Sequence, residues 1–388
     1  MGTASPLTNC ASHASPTRAA VVKSPSLGPY TVVRALGHGG MGVAYLTERV
    51  VDGERRSFVV KTLHRSLADT DASALFAAEA GLGARFTHPN LCPVVDVGVA
   101  APGAGVDTDA VAYFAMEHHA GMTVARLRGL VGGPLPPLVA ALIVDGAARG
   151  LSAARVVPGD DGAPLDVVHC DVSHDNLFVT DDGVVKVLDF GVAEVRSAAP
   201  GRRIVRGKRR FIAPERLRGE PIDERADVFS LGAVFYELLA GVPLFDREVP
   251  AVCLDVQRRR VPPLPPSTPP PLVRLVQRML CPDVSQRPRL ADVLDGLVGY
   301  LADAVVDVSD DARALARGID DALVSALTTL EGAPVLDELV PTAADTTTPL
   351  PPPDATTARV AAGPPPRGPP TSGFTGFVAD AMWRTQQP

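Results

Sequence analysis

The stretch HCDVSHDNLFVTDDGVVKVLDFG, residues 169–191, decides the fold because it joins two short strand-like runs to a group of polar side chains. Leu177–Thr180 and Val184–Leu188 are rich in apolar and β-branched residues, and the Asp-Asp-Gly between them favours a hairpin turn. Asp171 and Asn176 precede this hairpin, and Asp189 follows it directly. One hairpin is therefore flanked by two carboxylates and an amide.

These three side chains indicate a chemistry. Carboxylate and amide oxygens are hard ligands that suit Mg²⁺, and a carboxylate can orient a hydroxyl group or accept its proton. Phosphoryl transfer requires such a set of groups.

A glycine-rich turn lies upstream, in Gly37-His-Gly39-Gly40-Met-Gly42. It stands between two strand-like runs, so its backbone N–H groups can approach phosphate oxygens without a Cβ in the way. A dinucleotide-binding fingerprint would look similar, but it should open a helix, whereas Val43–Val50 is typical of a strand. The Lys of a P-loop is absent after the last glycine.

Lys61 ends the apolar run Phe58-Val-Val-Lys61, where an ammonium group is costly to bury unless it meets anions. Phosphate oxygens could supply that negative charge. So could Glu79, which lies on the helix predicted at Ala72–Phe86.

The periodicity of the chain changes near Ala120. Before it, one helix interrupts a series of strand-like runs; after it, apolar residues recur at helical spacing. The predicted strands are Tyr30–Leu36, Val43–Val50, Ser57–Leu63, Leu91–Val99 and Val111–Glu117. The predicted helices of the second part are Pro137–Arg155, Ala226–Ala240, Pro271–Leu280 and Leu290–Leu301. The sequence thus predicts an α+β protein with a strand-rich and a helix-rich part.

Taken in order, these motifs resemble the protein kinase superfamily, specifically bacterial serine/threonine protein kinases of the eukaryotic type. The resemblance covers about Tyr30 to Leu301. It implies the two-lobed protein kinase fold, with a small antiparallel-sheet N-lobe carrying one helix and a larger, mostly helical C-lobe. Further motifs that support it are His88-Pro-Asn90, Ala213-Pro-Glu215, Asp227 and Arg287.

The amino-acid composition differs before and after this predicted domain. A Ser-, Pro- and Ala-rich leader and a Pro-, Ala- and Thr-rich tail are both expected to be mostly disordered, with room for one helix at 309–331. The expected boundaries are 1–27 for the leader, 28–302 for the kinase domain (N-lobe 28–118, C-lobe 119–302) and 303–388 for the tail.

The resemblance assigns roles to the site residues, with ATP as phosphate donor and Mg²⁺ as cofactor. It implies that Lys61 binds the phosphates and that Glu79 pairs with Lys61. It also implies that Asp171 is the catalytic carboxylate. Asn176 and Asp189 are implied to bind Mg²⁺. The implied nucleotide-binding residues are Gly37, Gly39, Gly40, Gly42, Ala44, Val59, Lys61, Met116, Glu117, His119 and Phe178. It also implies two structural contacts, a buried Glu215–Arg287 ion pair and a bracing of the catalytic loop by Asp227.

Two departures from the family pattern bear on control. Cys170 stands where the family usually has the Arg that receives a phosphorylated activation loop, so activation by loop phosphorylation is not expected. Gly83 stands where the family has a large apolar residue on the helix of Glu79. That helix is either held by an activating partner, in which case Gly83→Leu would raise activity, or it is repacked locally.

A third departure bears on the reaction. Ser173 replaces the Lys that usually follows the catalytic Asp by two residues, while Lys208 replaces a usual Thr. One hypothesis is that Lys208 supplies the positive charge near the γ-phosphate and so belongs with the catalytic residues; the alternative is that it only joins a basic loop. That loop could attract protein substrates with acidic surroundings. Its basic residues are Arg196, Arg202, Arg203, Arg206, Lys208, Arg209 and Arg210.

The amino-acid composition of the chain argues against several other classes of protein. The formal charge of −7 argues against a protein that holds nucleic acid. Five scattered cysteines indicate reduced thiols in a cytoplasmic chain, and we expect no membrane span because no run of eighteen apolar residues occurs.

Two alternatives to an active protein kinase are a scaffold that uses the kinase fold and Pro-rich tail to bind partners, and a phosphotransferase for small molecules. The second is disfavoured by the Ala-Pro-Glu motif and Arg287.

Overall fold

The computed structural model describes residues 25–39, 41–68, 70–101, 110–191, 193–195, 209–245 and 261–304. The expected tail helix at 309–331 and nearly all of the expected leader and tail lie outside these residues. Within them, a strand-rich N-lobe precedes a helical C-lobe, which confirms the predicted α+β kinase architecture.

The N-lobe is built on a six-stranded antiparallel sheet in the order β1-β2-β3-β4-β6-β5. Aromatic side chains fill one face of this sheet: the Tyr30 ring meets those of Phe58 and Tyr113 edge to face, at 5.3 and 5.9 Å between centroids. The strands are β1 (Ser26–Leu27), β2 (Tyr30–His38), β3 (Gly42–Val51), β4 (Glu54–Leu63), β5 (Val94–Ala100) and β6 (Val111–Glu117). All five predicted strands are present.

The N-terminal boundary of the fold differs from the prediction. Residues up to 27 were expected to be disordered, but Ser26–Leu27 forms β1 and pairs with β2. The reason is apolar burial, because Leu27 is only 1% exposed and packs into the cluster around Tyr30.

The single N-lobe helix, α1 (Asp71–Gly83), begins at Thr70, whose hydroxyl accepts the backbone N–H of Ala72. Phe76 packs its ring on Phe114 of β6 at 4.9 Å. The helix ends at Gly83, three residues before the predicted end. A Cβ at Gly83 would lie 2.6 Å from a methyl group of Val94, so Val94 already fills this space.

The C-lobe is organised around two buried helices, α3 and α5, which contact each other. The helices are α2 (Val124–Val131), α3 (Pro137–Arg155), α4 (Pro214–Leu217), α5 (Arg225–Ala240), α6 (Pro270–Met279) and α7 (Leu290–Ala304). The four predicted helices match α3, α5, α6 and α7 closely. Helix α2 was not predicted.

Two small sheets lie beside these helices. β7 (Gly121–Thr123) and β10 (Val185–Val187) flank β9 (Leu177–Thr180), and β9 and β10 form the predicted hairpin. The second sheet joins β8 (Val167–Val168) to β11 (Glu194–Val195). Together they hold the segment 169–191 against the C-lobe core.

Among the described helices, α3 alone is long and apolar enough to cross a membrane, and 72% of that apolar stretch is buried. It packs against α5 and α7 in the centre of the lobe. Its apolar character is thus accounted for by the core.

Candidate active site

Lys61, Glu79 and Asp189 meet between the lobes. The Lys61 ammonium donates to Glu79 Oε1 at 2.8 Å and to Asp189 Oδ1 at 3.1 Å. Strand β4 positions Lys61 between Ala44 of β3 and Phe114 of β6, and its ammonium lies 5.7 Å from the centre of the Phe114 ring. The structure therefore brings together the three charged groups that the sequence placed far apart.

Burial and mutual attraction oppose each other in this triad. Burial raises the pKa of Glu79 to about 7, an effect that Lys61 only partly offsets and that the nearby Asp189 increases. Burial would lower the pKa of Lys61, but the two carboxylates outweigh it and hold that pKa above its ordinary value. Lys61 is therefore charged near neutral pH, while Glu79 lies close to its titration point.

The Asp-Phe-Gly segment is locked in place by packing on both sides. The Phe190 ring lies 4.4 Å from the His169 ring and 4.8 Å from that of Phe86. At Gly191, an added Cβ would lie 2.8 Å from Glu79 Oε2. Glycine at this position thus leaves room for the Glu79 carboxylate, whose other oxygen, Oε1, accepts the Lys61 ammonium.

The catalytic loop rests on Asp227 of α5, as predicted. One oxygen of the Asp227 carboxylate accepts the backbone N–H of His169 at 2.7 Å, and the other accepts that of Cys170 at 2.9 Å. Cys170 has a φ of 70°, a conformation that costs a non-glycine residue on the order of 1–3 kcal/mol. The two hydrogen bonds to Asp227 hold this strained backbone beside Asp171.

Asp171 and Asn176 are joined within the loop. The Asn176 amide nitrogen donates to Asp171 Oδ2 at 2.9 Å and to its backbone oxygen at 2.8 Å. The amide oxygen of Asn176 is therefore left as an acceptor. The backbone carbonyl of Asn176 also accepts the N–H of Leu188, which ties the loop to Asp189.

The residues present fit a Mg²⁺ site of the kind that relies on phosphate oxygens. No group of three or more His, Cys, Asp or Glu side chains suited to a metal occurs among the described residues. Mg²⁺ needs no such cage, since it is commonly held by one or two carboxylates, water and substrate phosphates. Asp189 and the Asn176 amide oxygen can supply the protein ligands.

The glycine turn leaves its backbone accessible. Gly39 and Gly42 close the β2–β3 hairpin with an N–H···O bond of 2.8 Å. Gly42 is sterically required, because a Cβ there would lie 1.6 Å from the Thr62 carbonyl oxygen, whereas nothing lies within 4 Å of a Cβ added at Gly37. Open space at Gly37 suits a phosphate-binding turn; Gly40 lies outside the described residues.

The residues predicted to surround adenine are spread over both lobes. Strand register fixes their positions. Ala44 of β3 pairs with Lys61 of β4. Between β4 and β6, Val59 pairs with Met116 and Phe58 pairs with Glu117. Phe178 lies on β9 of the C-lobe, and the ring nitrogen Nε2 of His119 is buried with no hydrogen-bond partner within the described residues. Their roles in binding adenine remain predictions.

The predicted ion pair between Glu215 and Arg287 is present and completely buried. The guanidinium donates to the two carboxylate oxygens at 2.6 and 3.1 Å. It also donates to the backbone carbonyls of Arg225 and Cys281, so its hydrogen-bonding capacity is largely used.

Two features of the site were not predicted. Arg216, next to Glu215, is buried and its guanidinium donates to the backbone carbonyl of Cys170, so an arginine reaches the catalytic loop from α4. Glu237 of α5 is 1% exposed and binds both Arg128 and Arg210. Neither Arg216 nor Glu237 belongs to one of the sequence motifs described above, and their contacts join distant segments.

Lys208 lies outside the described residues, as does the stretch 196–208 of the activation segment that runs from Asp189 to Glu215. The hypothesis that Lys208 serves the γ-phosphate therefore remains a prediction.

Comparison with known proteins agrees with this geometry. The model of the family described as "Protein kinase domain" matches residues 30–296. The chain is 35% identical over 304 residues to the tyrosine-protein kinase MasK of Myxococcus xanthus, covering 76% of this chain and 42% of that protein. It is 34% identical over 244 residues to the serine/threonine-protein kinase PknB of Mycobacterium leprae, covering 61% of this chain and 36% of the relative. A third relative, the serine/threonine-protein kinase pkn2 of Myxococcus xanthus, is 31% identical over 283 residues, which are 69% of this chain and 32% of its own length. The chain thus spans less than half the length of these relatives.

Proposed function

The chain belongs to the protein kinase family, and we propose that it transfers the γ-phosphate of ATP to serine or threonine hydroxyls of protein substrates in bacterial signalling. The observation that carries this proposal is the contact of Lys61 with both Glu79 and Asp189, at 2.8 and 3.1 Å. A kinase needs the lysine–glutamate pair and the metal-binding aspartate in place before it can act, and this contact brings all three residues together.

In this proposal each site residue has a separate role in phosphoryl transfer. Asp171 orients the substrate hydroxyl and accepts its proton, and Lys61 binds the phosphates of ATP. Asn176 and Asp189 hold Mg²⁺, which when bound would neutralise charge on those phosphates. Preorganisation supports these roles, since Asn176 fixes the Asp171 carboxylate and Asp227 fixes the loop.

The choice of serine or threonine over tyrosine rests on two of the three named relatives, PknB and pkn2, while MasK is named a tyrosine kinase. Ser173 leaves the question open at the residue level, because the lysine usual in serine/threonine kinases is missing there. The test is to incubate the purified chain with γ-labelled ATP, Mg²⁺ and a protein substrate mixture, and then to identify the labelled amino acids. Phosphoserine and phosphothreonine are expected; phosphotyrosine alone would contradict the assignment.

We also propose that Lys208 takes the place of the missing lysine near the γ-phosphate. Lys208→Ala should then abolish turnover while ATP affinity stays within about twofold, because the charge acts on the transferred group in the transition state. Arg202→Ala, in the same basic segment, is the matched control. If Lys208→Ala transfers phosphate as fast as Arg202→Ala, Lys208 is only a solvated residue of the basic loop.

A scaffold without catalytic activity is the alternative, and it predicts degraded catalytic positions. Lys61, Glu79, Asp171, Asn176 and Asp189 are all present. The contacts among Lys61, Glu79 and Asp189 favour an active kinase.

A further inference from the structure

A second cluster of charged side chains lies beside the catalytic loop and outside the nucleotide site. It consists of Arg128 of α2, Arg210 at the end of the activation segment and Glu237 of α5. We call it the Arg128–Arg210–Glu237 cluster. Each member comes from a different segment of the C-lobe, so the cluster exists only in the folded protein.

Both arginines share one carboxylate. Arg128 Nη1 lies 3.2 Å and Arg210 Nη2 lies 3.3 Å from the same oxygen, Glu237 Oε2. Within the part of the chain that the structure describes, Glu237 is the acidic group that contacts these two arginines. Its other oxygen accepts the backbone N–H of Leu244 at 3.2 Å.

The cluster therefore carries an excess of positive charge. One carboxylate cannot neutralise two guanidinium groups, and each arginine uses one of its five N–H donors on Glu237. Burial lowers the pKa of Arg128, and the neighbouring charge of Arg210 lowers it further against the opposing effect of Glu237. The side chains of Arg128 and Arg210 remain 18% and 36% exposed, so an anion from solvent can reach them.

The cluster lies next to the catalytic loop. His174 follows Asp171 by three residues, and its Nδ1 lies 3.7 Å from Glu237 Oε2. The backbone carbonyl of His174 accepts the N–H of Ala125, which ties α2 to the loop at 3.0 Å.

Arg210 is held in this place by its neighbour Phe211. The Phe211 ring lies 5.3 Å from the His174 ring, and the Phe211 carbonyl accepts the Ser230 hydroxyl at 2.6 Å. The Arg210 guanidinium lies 4.9 Å from the centre of the same ring. The positive charge is therefore fixed by packing, not carried on a free side chain.

We propose that Arg128 and Arg210 bind an acidic side chain of the protein substrate, close in sequence to the hydroxyl that is phosphorylated. This inference rests on the proposed kinase function and names the class of substrate. A carboxylate from the substrate would complete the neutralisation that Glu237 begins, through charge-assisted hydrogen bonds to the unused N–H groups of the two arginines.

The test uses the full chain, Mg²⁺, ATP and a set of serine-containing peptides that carry a single Glu or Lys at each position around the serine. We expect one or more positions where Glu raises kcat/KM over Lys by about tenfold, the size of one charge-assisted hydrogen bond. Arg210→Met should reduce this preference to about twofold or less, mainly through KM for the peptide, and leave KM for ATP unchanged. This variant keeps Arg128 as a partner of Glu237, so the buried carboxylate does not lose both of its arginines. Arg128→Lys should keep part of the preference because it keeps the charge.

Arg126→Met is the matched control, since Arg126 lies on the same helix and is exposed. Equal rates with Glu and Lys peptides, or a preference that Arg210→Met and Arg126→Met both leave intact, would overturn the inference while the kinase function stands. No transfer to any peptide or protein, and no self-labelling, would overturn the proposed function and this inference with it.

Discussion

The Lys61 ammonium lies 2.8 Å from the Glu79 carboxylate, and this contact joins the central sheet of the N-lobe to its one helix. Two glycines, Gly81 and Gly83, lie in the last turn of that helix, where each costs on the order of 1 kcal/mol relative to alanine. The helix nevertheless contacts Lys61 through Glu79. The two residues are thus paired despite the glycines that follow Glu79.

Removing either partner of this pair should impair transfer. Lys61→Met and Glu79→Gln should each lower kcat/KM for ATP by about 100-fold or more, the usual loss when a preorganised charge is removed from a reacting phosphate or its support. Steady-state kinetics check this. Arg55→Met, on the exposed end of the same strand, should retain full activity. If kcat/KM for ATP falls as far in Arg55→Met, the loss is not specific to Lys61 and Glu79, and the account is contradicted.

The pH dependence should report on Glu79. Its pKa of about 7 means that the carboxyl group takes up a proton as the pH falls through neutrality and loses its attraction for Lys61. The value of kcat/KM for ATP should therefore fall as the pH decreases from 8 to 6. His119→Gln should change this profile little, because burial lowers the pKa of His119 from its ordinary value. A flat profile in the wild type would contradict this account of Glu79.

Gly191 should be intolerant of any side chain. A Cβ there would lie 2.8 Å from Glu79 Oε2 and 3.1 Å from Asp189 Oδ1, so Gly191→Ala must displace one of the carboxylates. We expect roughly 10-fold or greater loss of kcat, in line with the sensitivity of catalysis to small misplacements. Gly129→Ala is the control, since nothing lies within 4 Å of a Cβ added there.

The buried ion pair of the C-lobe should be critical for stability. Arg287→Ala leaves the Glu215 carboxylate without its partner in the core, which should lower the free energy of unfolding by about 3–5 kcal/mol. Chemical denaturation measures this. Arg218→Ala removes the partly exposed pair with Glu220 and should leave stability nearly unchanged, because water screens such pairs. Similar losses in both variants would contradict the assignment.

The packing around Gly83 favours the view that the helix is repacked locally over the view that it is held by a partner. A side chain at this position would meet Val94, whose methyl group lies 2.6 Å from the Cβ position. Gly83→Leu alone should therefore destabilise the protein by about 1–3 kcal/mol, as overpacking does. The double variant Gly83→Leu/Val94→Ala should recover most of this loss; a more active Gly83→Leu enzyme would restore the partner hypothesis.

Much of the fold and site could be predicted because the decisive signals are local. The Asp-Asp-Gly turn fixes the β9–β10 hairpin, and hairpin geometry then puts Asp189 close to the Asp171 loop. Helix α3 was predicted with its observed bounds, since Pro137 and the apolar spacing mark it clearly.

What was missed depends on contacts between distant segments. Nothing near Glu237 indicates that Arg128 and Arg210 converge on it, and nothing near Arg216 indicates a bond to Cys170. Leu27 was assigned to the leader because its neighbours are Ser, Pro and Gly, and its burial depends on Tyr30 and Phe58. Helix α2 was missed because its apolar pattern is short and includes two arginines.

The most direct test of the kinase assignment compares the wild type with Asp171→Asn, which keeps the size of the side chain and removes its charge. Transfer of labelled γ-phosphate to protein and binding of ATP with Mg²⁺ are measured in parallel. We predict that the wild type labels protein, and that Asp171→Asn binds ATP within about twofold of wild type yet labels protein at least about 100-fold more slowly, because Asp171 acts on the hydroxyl and not on the nucleotide. Equal labelling by the two proteins, or no labelling by the wild type, would contradict the assignment.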